Sequence, residues 1–214
     1  MDSPAQKTGM AAARQDMVET QIAARGVTDP RVLEAMGQVP RHRFAPTQHL
    51  LQAHADHPLP IGHGQTLSQP YIVAFMAEAL GLKGHERVLE VGSGSGYMAS
   101  VLSLLAKDVC AVELEPSLCE ASRMLLGELG CENVRVRCGD GKLGWPEMAP
   151  FDAIVLSCAA PALPERLWEQ VAEGGCLLLP LGPPLGIQHL VLFSKTPRGP
   201  SRQELLAVTF VPLR

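Results

Sequence analysis

Glycines at every second position follow a short apolar segment near the middle of the chain. Residues 87–91 have the β-branched, apolar character of a buried strand, and Gly92, Gly94 and Gly96 come directly after it. Glycine permits a positive φ and lets a ligand approach the backbone where a Cβ would block it. An apolar helical pattern begins at Met98, so the free N–H groups of a helix start lie behind the turn. These residues predict a strand, a turn and a helix that together could bind a nucleotide-like ligand.

Two acidic residues stand at the ends of the next two predicted strands. Glu113 ends a strand predicted over residues 108–114, and Asp140 lies in the motif Gly139-Asp140-Gly141 after a strand predicted over residues 134–138. A carboxylate about 20 residues beyond such a turn can accept hydrogen bonds from the ribose hydroxyls of a nucleoside. Leu114 could pack on the adenine ring, and Asp140 could accept its amino hydrogens. We therefore expect a nucleoside-containing cofactor.

The spacing of the glycines distinguishes two kinds of nucleotide site. The dinucleotide fingerprint needs a third glycine three positions after the second, and Tyr97 stands there instead. The G-x-G-x-G spacing with Glu90 just before it resembles the first motif of the S-adenosylmethionine-dependent methyltransferases with a Rossmann-like fold. A glycine turn without a ligand is disfavoured, because three strands end in groups suited to one cofactor. The cofactor-binding residues expected from these segments are Glu90, Gly92, Ser93, Gly94, Glu113, Leu114, Asp140 and Gly141.

The strands that position these residues alternate with helices along the chain. Seven strands are predicted, over residues 87–91, 108–114, 134–138, 151–157, 176–181, 189–194 and 205–211. Helices between the first five strands predict an α/β fold, a doubly wound Rossmann-like mixed sheet of seven strands with an antiparallel end. We expect the ligand at the carboxyl ends of the strands.

An N-terminal helical extension precedes the sheet. Helices are predicted over residues 10–25, over about 30–36 with Asp29 as the N-cap and Pro30 at the first position, and over 71–80 with Ser68 as the N-cap. The first residues, 1–14 in the domain division, are expected to form a disordered tail. Residues 15–214 are expected to form a single domain.

Composition and charge exclude several classes of protein. The 214 residues are 46% hydrophobic and 19% charged, which suits a globular protein with a substantial core. The net charge of −4 and the lack of a basic run argue against nucleic-acid binding. No stretch of about 18 apolar residues predicts a transmembrane helix, and the N-terminus lacks the apolar core of a secretory signal.

The cysteines and histidines are not expected to carry chemistry. The six cysteines include no C-x-x-C pair, and those at 110, 138, 158 and 176 lie in apolar, strand-like segments. They are interpreted as buried free thiols of a cytoplasmic protein, without a disulfide framework. His49, His54, His57 and His63 cluster around Asp56, but no helix aligns them, so surface and loop positions are favoured over a metal site.

Two segments ahead of the sheet narrow the function. The segments Val39-Pro40-Arg41-His42-Arg43-Phe44 and Leu59-Pro60-Ile61-Gly62-His63-Gly64-Gln65-Thr66-Leu67-Ser68-Gln69-Pro70 strongly resemble the protein-L-isoaspartate O-methyltransferase family. The second is the specific part, since many methyltransferases share the glycine turn. The resemblance covers nearly the whole chain from about Gln15 and continues through residues 88–97, 139–141, 149–154, 159–161, 173–175 and 210–213.

The resemblance implies a cytoplasmic protein-repair enzyme. Such an enzyme transfers a methyl group from S-adenosylmethionine to the free α-carboxylate of an L-isoaspartyl residue and leaves S-adenosylhomocysteine. Ser68 matches the active-site serine of the family, and Gln65, Thr66 and Leu67 match its loop beside the cofactor. Val211 falls in the segment whose backbone pairs with the substrate peptide. Residues 15–80 then carry the helices and the substrate loop, and residues 81–214 form the cofactor-binding core.

The partners expected are peptides and proteins that contain isoaspartate, with no nucleic acid, no membrane and a monomeric enzyme. The family commonly continues several residues past Val-Pro-Leu, whereas this sequence ends at Arg214. Its cofactor enclosure is therefore expected to be looser, or to use another segment. Two alternatives stay open: a methyltransferase that uses the same cofactor on another carboxylate or a small molecule, and a cofactor-binding module without catalysis.

Overall fold

The computed structural model describes residues 4–184 and 186–214, with side chains over 9–184 and 186–214. Its α-helices are α1 (Pro4–Asp16), α2 (Pro30–Gln38), α3 (Pro70–Ala79), α4 (Tyr97–Ser103), α5 (Pro116–Glu128) and α6 (Glu165–Glu169). Its strands are β1 (Leu59–Gly62), β2 (Gln65–Leu67), β3 (Arg87–Val91), β4 (Asp108–Glu113), β5 (Val134–Cys138), β6 (Phe151–Leu156), β7 (Val171–Leu181), β8 (Gln188–Thr196) and β9 (Gly199–Val208). None of the helices in the described ranges combines the length and apolar composition that a membrane crossing demands.

The predicted seven-stranded mixed sheet is confirmed. Its strand order is β5-β4-β3-β6-β7-β8-β9. The five strands from β5 to β7 are parallel, and β8 and β9 return antiparallel at one end. The chain reverses its direction of sheet growth between β5 and β6, so β3 and its neighbours form the switch point where ligands bind in such folds.

The strand β3 shows how both faces of the sheet are covered. Val88 is fully buried in a cluster with residues of α2, α3 and α4, whereas Leu89 is fully buried in a second cluster on the other face with Leu167 of α6. Successive side chains of a strand point to opposite faces, which explains why a strand buried on both sides is a continuous apolar run. Burial of each such side chain contributes about 1.5–3 kcal/mol.

The N-terminal extension packs against the sheet as one helical layer. The helix α1 continues as a π-helical stretch (Met17–Ile22) and a 3-10 turn (Ala23–Arg25), which ends at Gly26 in the left-handed region. The helix predicted over residues 10–25 is confirmed, but it begins at Pro4, so the tail expected ahead of it is wrong for residues 4–9. Met1 to Ser3 lie outside the described residues.

The cap of α2 is confirmed and that of α3 is wrong. The Asp29 side chain accepts a hydrogen bond from the Arg31 N–H, as an N-cap should. The N-cap of α3 is Gln69, not Ser68, and its side chain makes no capping bond. The reason is Pro70, which occupies the first helical position and so fixes the cap one residue before itself.

A β-hairpin replaces the loop expected over residues 59–67. The strands β1 and β2 pair antiparallel with each other and stand apart from the large sheet. Gly62, His63 and Gly64 turn between them with φ values of 91°, 53° and 71°. The strand β1 has four residues, including a proline and a glycine, and β2 has three, so neither is long enough to show the alternation that predicts a strand.

The prediction for the cysteines is wrong at two positions. Cys119 of α5 and Cys138 at the end of β5 form a disulfide, and Cys138 is exposed. The two residues meet because α5 packs beside β5, a proximity that the sequence separation of 19 does not reveal. The free thiols of Cys110 and Cys158 are buried, and burial raises their pKa to about 11 and about 12. Those two thiols are therefore poor nucleophiles.

Reduction of the disulfide should destabilise the protein measurably. A crosslink that closes a loop of this size contributes about 3 kcal/mol, which corresponds to a melting temperature about 6–12 °C lower without it. Thermal denaturation of the wild type with and without dithiothreitol measures the difference. The Cys119→Ser/Cys138→Ser variant is the control and should melt at the lower temperature in both buffers. A wild type whose melting temperature ignores the reductant would contradict the pairing.

Candidate cofactor and substrate site

The glycine turn after β3 is fixed to the end of β4. The N–H groups of Gly92 and Ser93 donate to the Val112 carbonyl at 2.8 and 3.2 Å. Gly92 and Gly94 have φ values of 79° and 54°, a region that side chains with a Cβ rarely adopt. A Cβ on Gly94 would lie 3.3 Å from Ile61 Cδ1 of the hairpin. The turn is thus held from one side by the sheet and covered from the other by the hairpin.

Glu113 lies at the end of β4, as predicted, and is almost fully buried. Its Oε2 accepts a hydrogen bond from the Gly94 N–H at 2.8 Å, and its Oε1 accepts one from the Glu115 N–H at 2.9 Å. The carboxylate lines the cleft beside the turn together with Leu114. Each carboxylate oxygen can accept a second hydrogen bond, so this geometry leaves acceptor capacity for a hydroxyl-bearing ligand.

The motif at the end of β5 contributes its glycine more directly than its acid. Gly141 lines the cleft, and a Cβ on it would lie 2.5 Å from Val91 Cγ1. Any side chain at this position would therefore clash with Val91. Asp140 is exposed and is not among the lining residues. Its Oδ1 accepts the Lys142 N–H at 2.8 Å and caps the turn that carries Gly141. The contacts of Asp140 within the protein therefore shape this loop.

Two buried polar atoms next to the turn have no hydrogen-bond partner within the described residues. Glu90 is fully buried, and its Oε1 accepts the Ser157 hydroxyl at 2.9 Å while its Oε2 is unsatisfied. The hydroxyl of Ser93 is also buried and unsatisfied. An unpaired buried polar group costs about 1–3 kcal/mol. Both atoms are therefore suited to a polar ligand that supplies the missing partners.

The hairpin brings the predicted loop residues to the same place. Gln65 and Thr66 of β2 line the cofactor cleft. Leu67 is buried and pairs with Leu59, so it anchors the hairpin instead of lining the cleft. Ser68 follows directly and is half-buried, and its hydroxyl forms no hydrogen bond within the described part of the chain.

An apolar groove adjoins the cleft on the side of Ser68. Its cavity volume is about 670 Å³, within the range of natural ligand sites. It is lined by Ser68 and Gln69, by Ile72 of α3, by Ile187 and by the segment that follows β9. Thr66, Val211 and Pro212 line both the groove and the cleft. A ligand in the cleft and a ligand in the groove would therefore meet next to Ser68.

The C-terminal residues close one side of the cofactor cleft. Residues 211–214 line it, and their backbone is paired with the residue after β6, because Ala159 N–H donates to the Val211 carbonyl and Leu213 N–H to the Ala159 carbonyl, both at 2.8 Å. Residues 211–214 thus form part of the wall of the cleft. Val211 lies at the junction of groove and cleft.

Ser157 and Cys158 also line the cleft and were not predicted. They follow β6, which lies next to β3 in the sheet, so their position follows from the carboxyl-edge rule that identified Glu113. The motif Ala159-Ala160-Pro161 beside them was noted for its resemblance, but nothing in the sequence gave it a role. The expected histidine cluster also differs from the structure, since His54 is buried.

Comparison with known proteins places this site in a family. The sequence model of the family "Protein-L-isoaspartate(D-aspartate) O-methyltransferase (PCMT)" matches residues 12–214. The chain belongs to this family. It is 59% identical over 201 residues to protein-L-isoaspartate O-methyltransferase 2 of Anaeromyxobacter sp. (strain Fw109-5), which covers 94% of this chain and 83% of that one. The Methylorubrum populi enzyme is 53% identical over 205 residues, with 94% and 95% covered.

Two solved structures of isoaspartyl methyltransferases share the fold. One superposes with a TM-score of 0.81 at 29% identity over 92% of this chain and 65% of that chain. The other, from Plasmodium falciparum, was assigned to the same family and solved in complex with S-adenosyl-L-homocysteine. It superposes with a TM-score of 0.82 at 26% identity, over 94% of this chain and 98% of that one. These matches cover the extension, the hairpin and the sheet together.

In this isoaspartyl methyltransferase, Glu90 is the carboxylate with the most perturbed titration. Its pKa is raised to about 7, mainly by burial and also by the negative charge of Glu113, while the Ser157 hydrogen bond partly opposes the shift. A raised pKa means that the folded protein binds a proton more tightly than the unfolded chain. The carboxylate therefore costs stability progressively as pH rises from about 4.5 to about 7, and the full cost is present above that window.

Glu90→Gln should stabilise the cofactor-free protein at pH 8 and leave it unchanged at pH 5. The amide keeps the acceptor for Ser157 and removes the buried charge, which is worth on the order of 1–3 kcal/mol. The melting temperature at pH 8 should rise by about 2–10 °C. Glu132→Gln changes an exposed carboxylate and serves as the control. An equal gain at both pH values would attribute the effect to packing and contradict the titration of Glu90.

Proposed function

We propose that this protein transfers a methyl group from S-adenosylmethionine to the free α-carboxylate of L-isoaspartyl residues in damaged proteins and peptides. The observation that carries the proposal is the junction of the two cavities at Thr66 and Val211, beside the unpaired hydroxyl of Ser68, in a chain of the isoaspartyl methyltransferase family. A methyl donor in the cleft and a peptide in the groove would bring donor and acceptor together there.

In this proposal, different residues of the cleft bind different parts of the cofactor. Glu113 accepts the ribose hydroxyls, and Leu114 and Gly141 bound the adenine. Glu90 and Ser93 supply the two unsatisfied polar atoms, which suit the charged amino-acid end of the molecule. Bound there, the cofactor supplies an electrophilic methyl group on a sulfonium.

The acceptor needs alignment more than activation. A carboxylate with a pKa of about 4 is ionised at neutral pH, so no general base has to remove a proton. The Ser68 hydroxyl donates a hydrogen bond to the carboxylate, and the backbone near Val211 pairs with the substrate peptide. The apolar walls of the groove exclude water from the carboxylate. Alignment of this kind can supply about 7–11 kcal/mol of the barrier reduction.

We further propose a monomeric cytoplasmic enzyme that binds neither nucleic acid nor membranes. The net charge of −4 supports the absence of nucleic-acid binding, and the cytoplasmic location is inferred from the family resemblance. The disulfide between Cys119 and Cys138 removes the argument that the cysteines made for a reducing compartment.

A paired-peptide assay tests the function directly. Methyl transfer should occur to a peptide that contains L-isoaspartate and be at least ~100-fold slower with its aspartyl twin, since a misplacement of about 1 Å can cost 10²-fold in rate. Incorporation of labelled methyl into both peptides measures the ratio. Equal rates would favour the broader methyltransferase, and cofactor binding without transfer to either peptide would favour a binding module.

Ser68→Ala should lower turnover without lowering stability. The lost hydrogen bond to a charged group is worth about 1.5–3 kcal/mol, or roughly 10- to 150-fold in kcat/KM. Because Gln69 and not Ser68 caps α3, the melting temperature should stay near that of the wild type. Ser201→Ala, on the exposed strand β9, is the control and should leave the kinetics unchanged. Wild-type kinetics in Ser68→Ala would remove the residue from the mechanism.

A further inference from the structure

Arg41 is a fully buried guanidinium without an acidic partner. Its side chain has no solvent-exposed surface, and no carboxylate among the described residues forms an ion pair with it. Its Nε donates to the Ala53 carbonyl and its Nη2 to the Ser68 carbonyl, both at 2.7 Å, while Nη1 has no hydrogen-bond partner among the described residues. Burying a charge without a partner of opposite sign is strongly unfavourable. Such a residue therefore calls for a role beyond filling space.

The contacts of Arg41 join the acceptor side of the site to the donor side. Ser68, whose carbonyl it holds, lies in the groove wall. Its guanidinium carbon lies 4.7 Å from the ring centroid of Tyr97, the first residue of α4 after the glycine turn. The Tyr97 ring is itself fixed, since it packs edge-on against Phe44 and its hydroxyl contacts Met36 Sδ at 3.8 Å. One side chain thus spans the substrate loop and the helix that carries the cofactor turn.

The surroundings do not neutralise the charge. The groups that interact with the neighbouring His54 are the cationic or neutral side chains of His42, Arg14 and Arg41. Burial and the charges of those neighbours together lower the pKa of His54 to about 4, so His54 is neutral at physiological pH. Among the described residues, the Ala53 and Ser68 carbonyls and Tyr97 are the groups that compensate the guanidinium. Its positive potential is therefore felt at Ser68, where an anion would be stabilised.

We propose that Arg41 is a positioning residue for the methyl acceptor. Its planar fork fixes the backbone of Ser68 relative to the cofactor turn, and its unpaired charge favours a carboxylate beside Ser68. The inference rests on the proposed function, because it names an anionic acceptor. A lysine would keep the charge and lose the fork, which separates the two contributions.

Arg31 provides a matched control. It is half-buried, and its two Nη atoms donate to the Leu82 carbonyl at 2.8 Å and the Leu105 carbonyl at 2.9 Å. It has the same pattern of bonds to two backbone carbonyls, but neither it nor its partners line the cleft or the groove. Its loss reports what a purely structural arginine contributes.

The test compares wild type, Arg41→Met, Arg41→Lys and Arg31→Met in the full chain, with rates corrected for the folded fraction. Arg41→Met should raise KM for an isoaspartyl peptide about tenfold or more and lower kcat. The Kd for S-adenosylhomocysteine, measured by calorimetry, should change less than threefold. Arg41→Lys should return KM most of the way to the wild-type value while kcat stays low. Arg31→Met should lower the melting temperature and leave kcat and KM within twofold.

Several outcomes would overturn the inference. A folded Arg41→Met whose kcat and KM match those of Arg31→Met leaves Arg41 a structural residue. If Arg41→Met does not fold, a folded Arg41→Lys with wild-type kcat has the same consequence, since the fork is then dispensable. A wild type that is inactive on the isoaspartyl peptide overturns the proposed function and the inference together. An active wild type with unaffected Arg41 variants overturns only the role of Arg41.

Discussion

The pairing of the glycine turn with the end of β4 is the constraint on which the site depends. The bonds from Gly92 to the Val112 carbonyl and from Gly94 to the Glu113 carboxylate hold two parallel strands in register at their carboxyl ends. They place a backbone without side chains next to a buried acid. A Cβ on Gly92 would lie 3.2 Å from Cys158 Sγ and one on Gly94 would lie 3.3 Å from Ile61 Cδ1, both tighter than usual contacts. The cleft therefore exists because these two positions can take a positive φ and carry no Cβ.

The acceptor side depends on the opposite end of the chain. The strands β8 and β9 return antiparallel and deliver residues 210–214 to the edge where β3 and β4 end. Gln188 is fully buried at this return, and its Oε1 accepts the Phe210 N–H at 2.8 Å while its Nε2 donates to the Pro183 carbonyl at the same distance. A polar side chain in the core thus sets the direction of the C-terminal segment. The hairpin ahead of the sheet supplies the facing wall, so the junction is assembled from three distant stretches.

The sequence predicted what is local or periodic and missed what depends on packing. The strand, turn and helix from β3 to α4 and the position of Glu113 follow from spacing alone, because the rules for parallel sheets fix where such residues lie. The hairpin has too few residues for a period to show. The cap of α3 was misplaced because Pro70 outweighs the preference of serine for that position. The disulfide joins a helix and a strand whose contact the sequence spacing does not reveal.

The distribution of charge in the site explains why it needs no acid or base. In the proposed reaction a cationic sulfonium and an anionic carboxylate combine into neutral products, so the transition state carries less charge than the reactants. Removing water then favours the reaction, because the reactants lose more hydration than the transition state does. Two buried carboxylates, Glu90 and Glu113, lie on the donor side and one buried cation, Arg41, on the acceptor side. The carboxylates stabilise the cationic donor and the guanidinium stabilises the anionic acceptor while they are bound. None of these side chains has to transfer a proton. Such a site gains rate from rigid placement, to which the N–H groups of Gly94 and Glu115 contribute by fixing the Glu113 carboxylate, and Arg41 by fixing the Ser68 backbone.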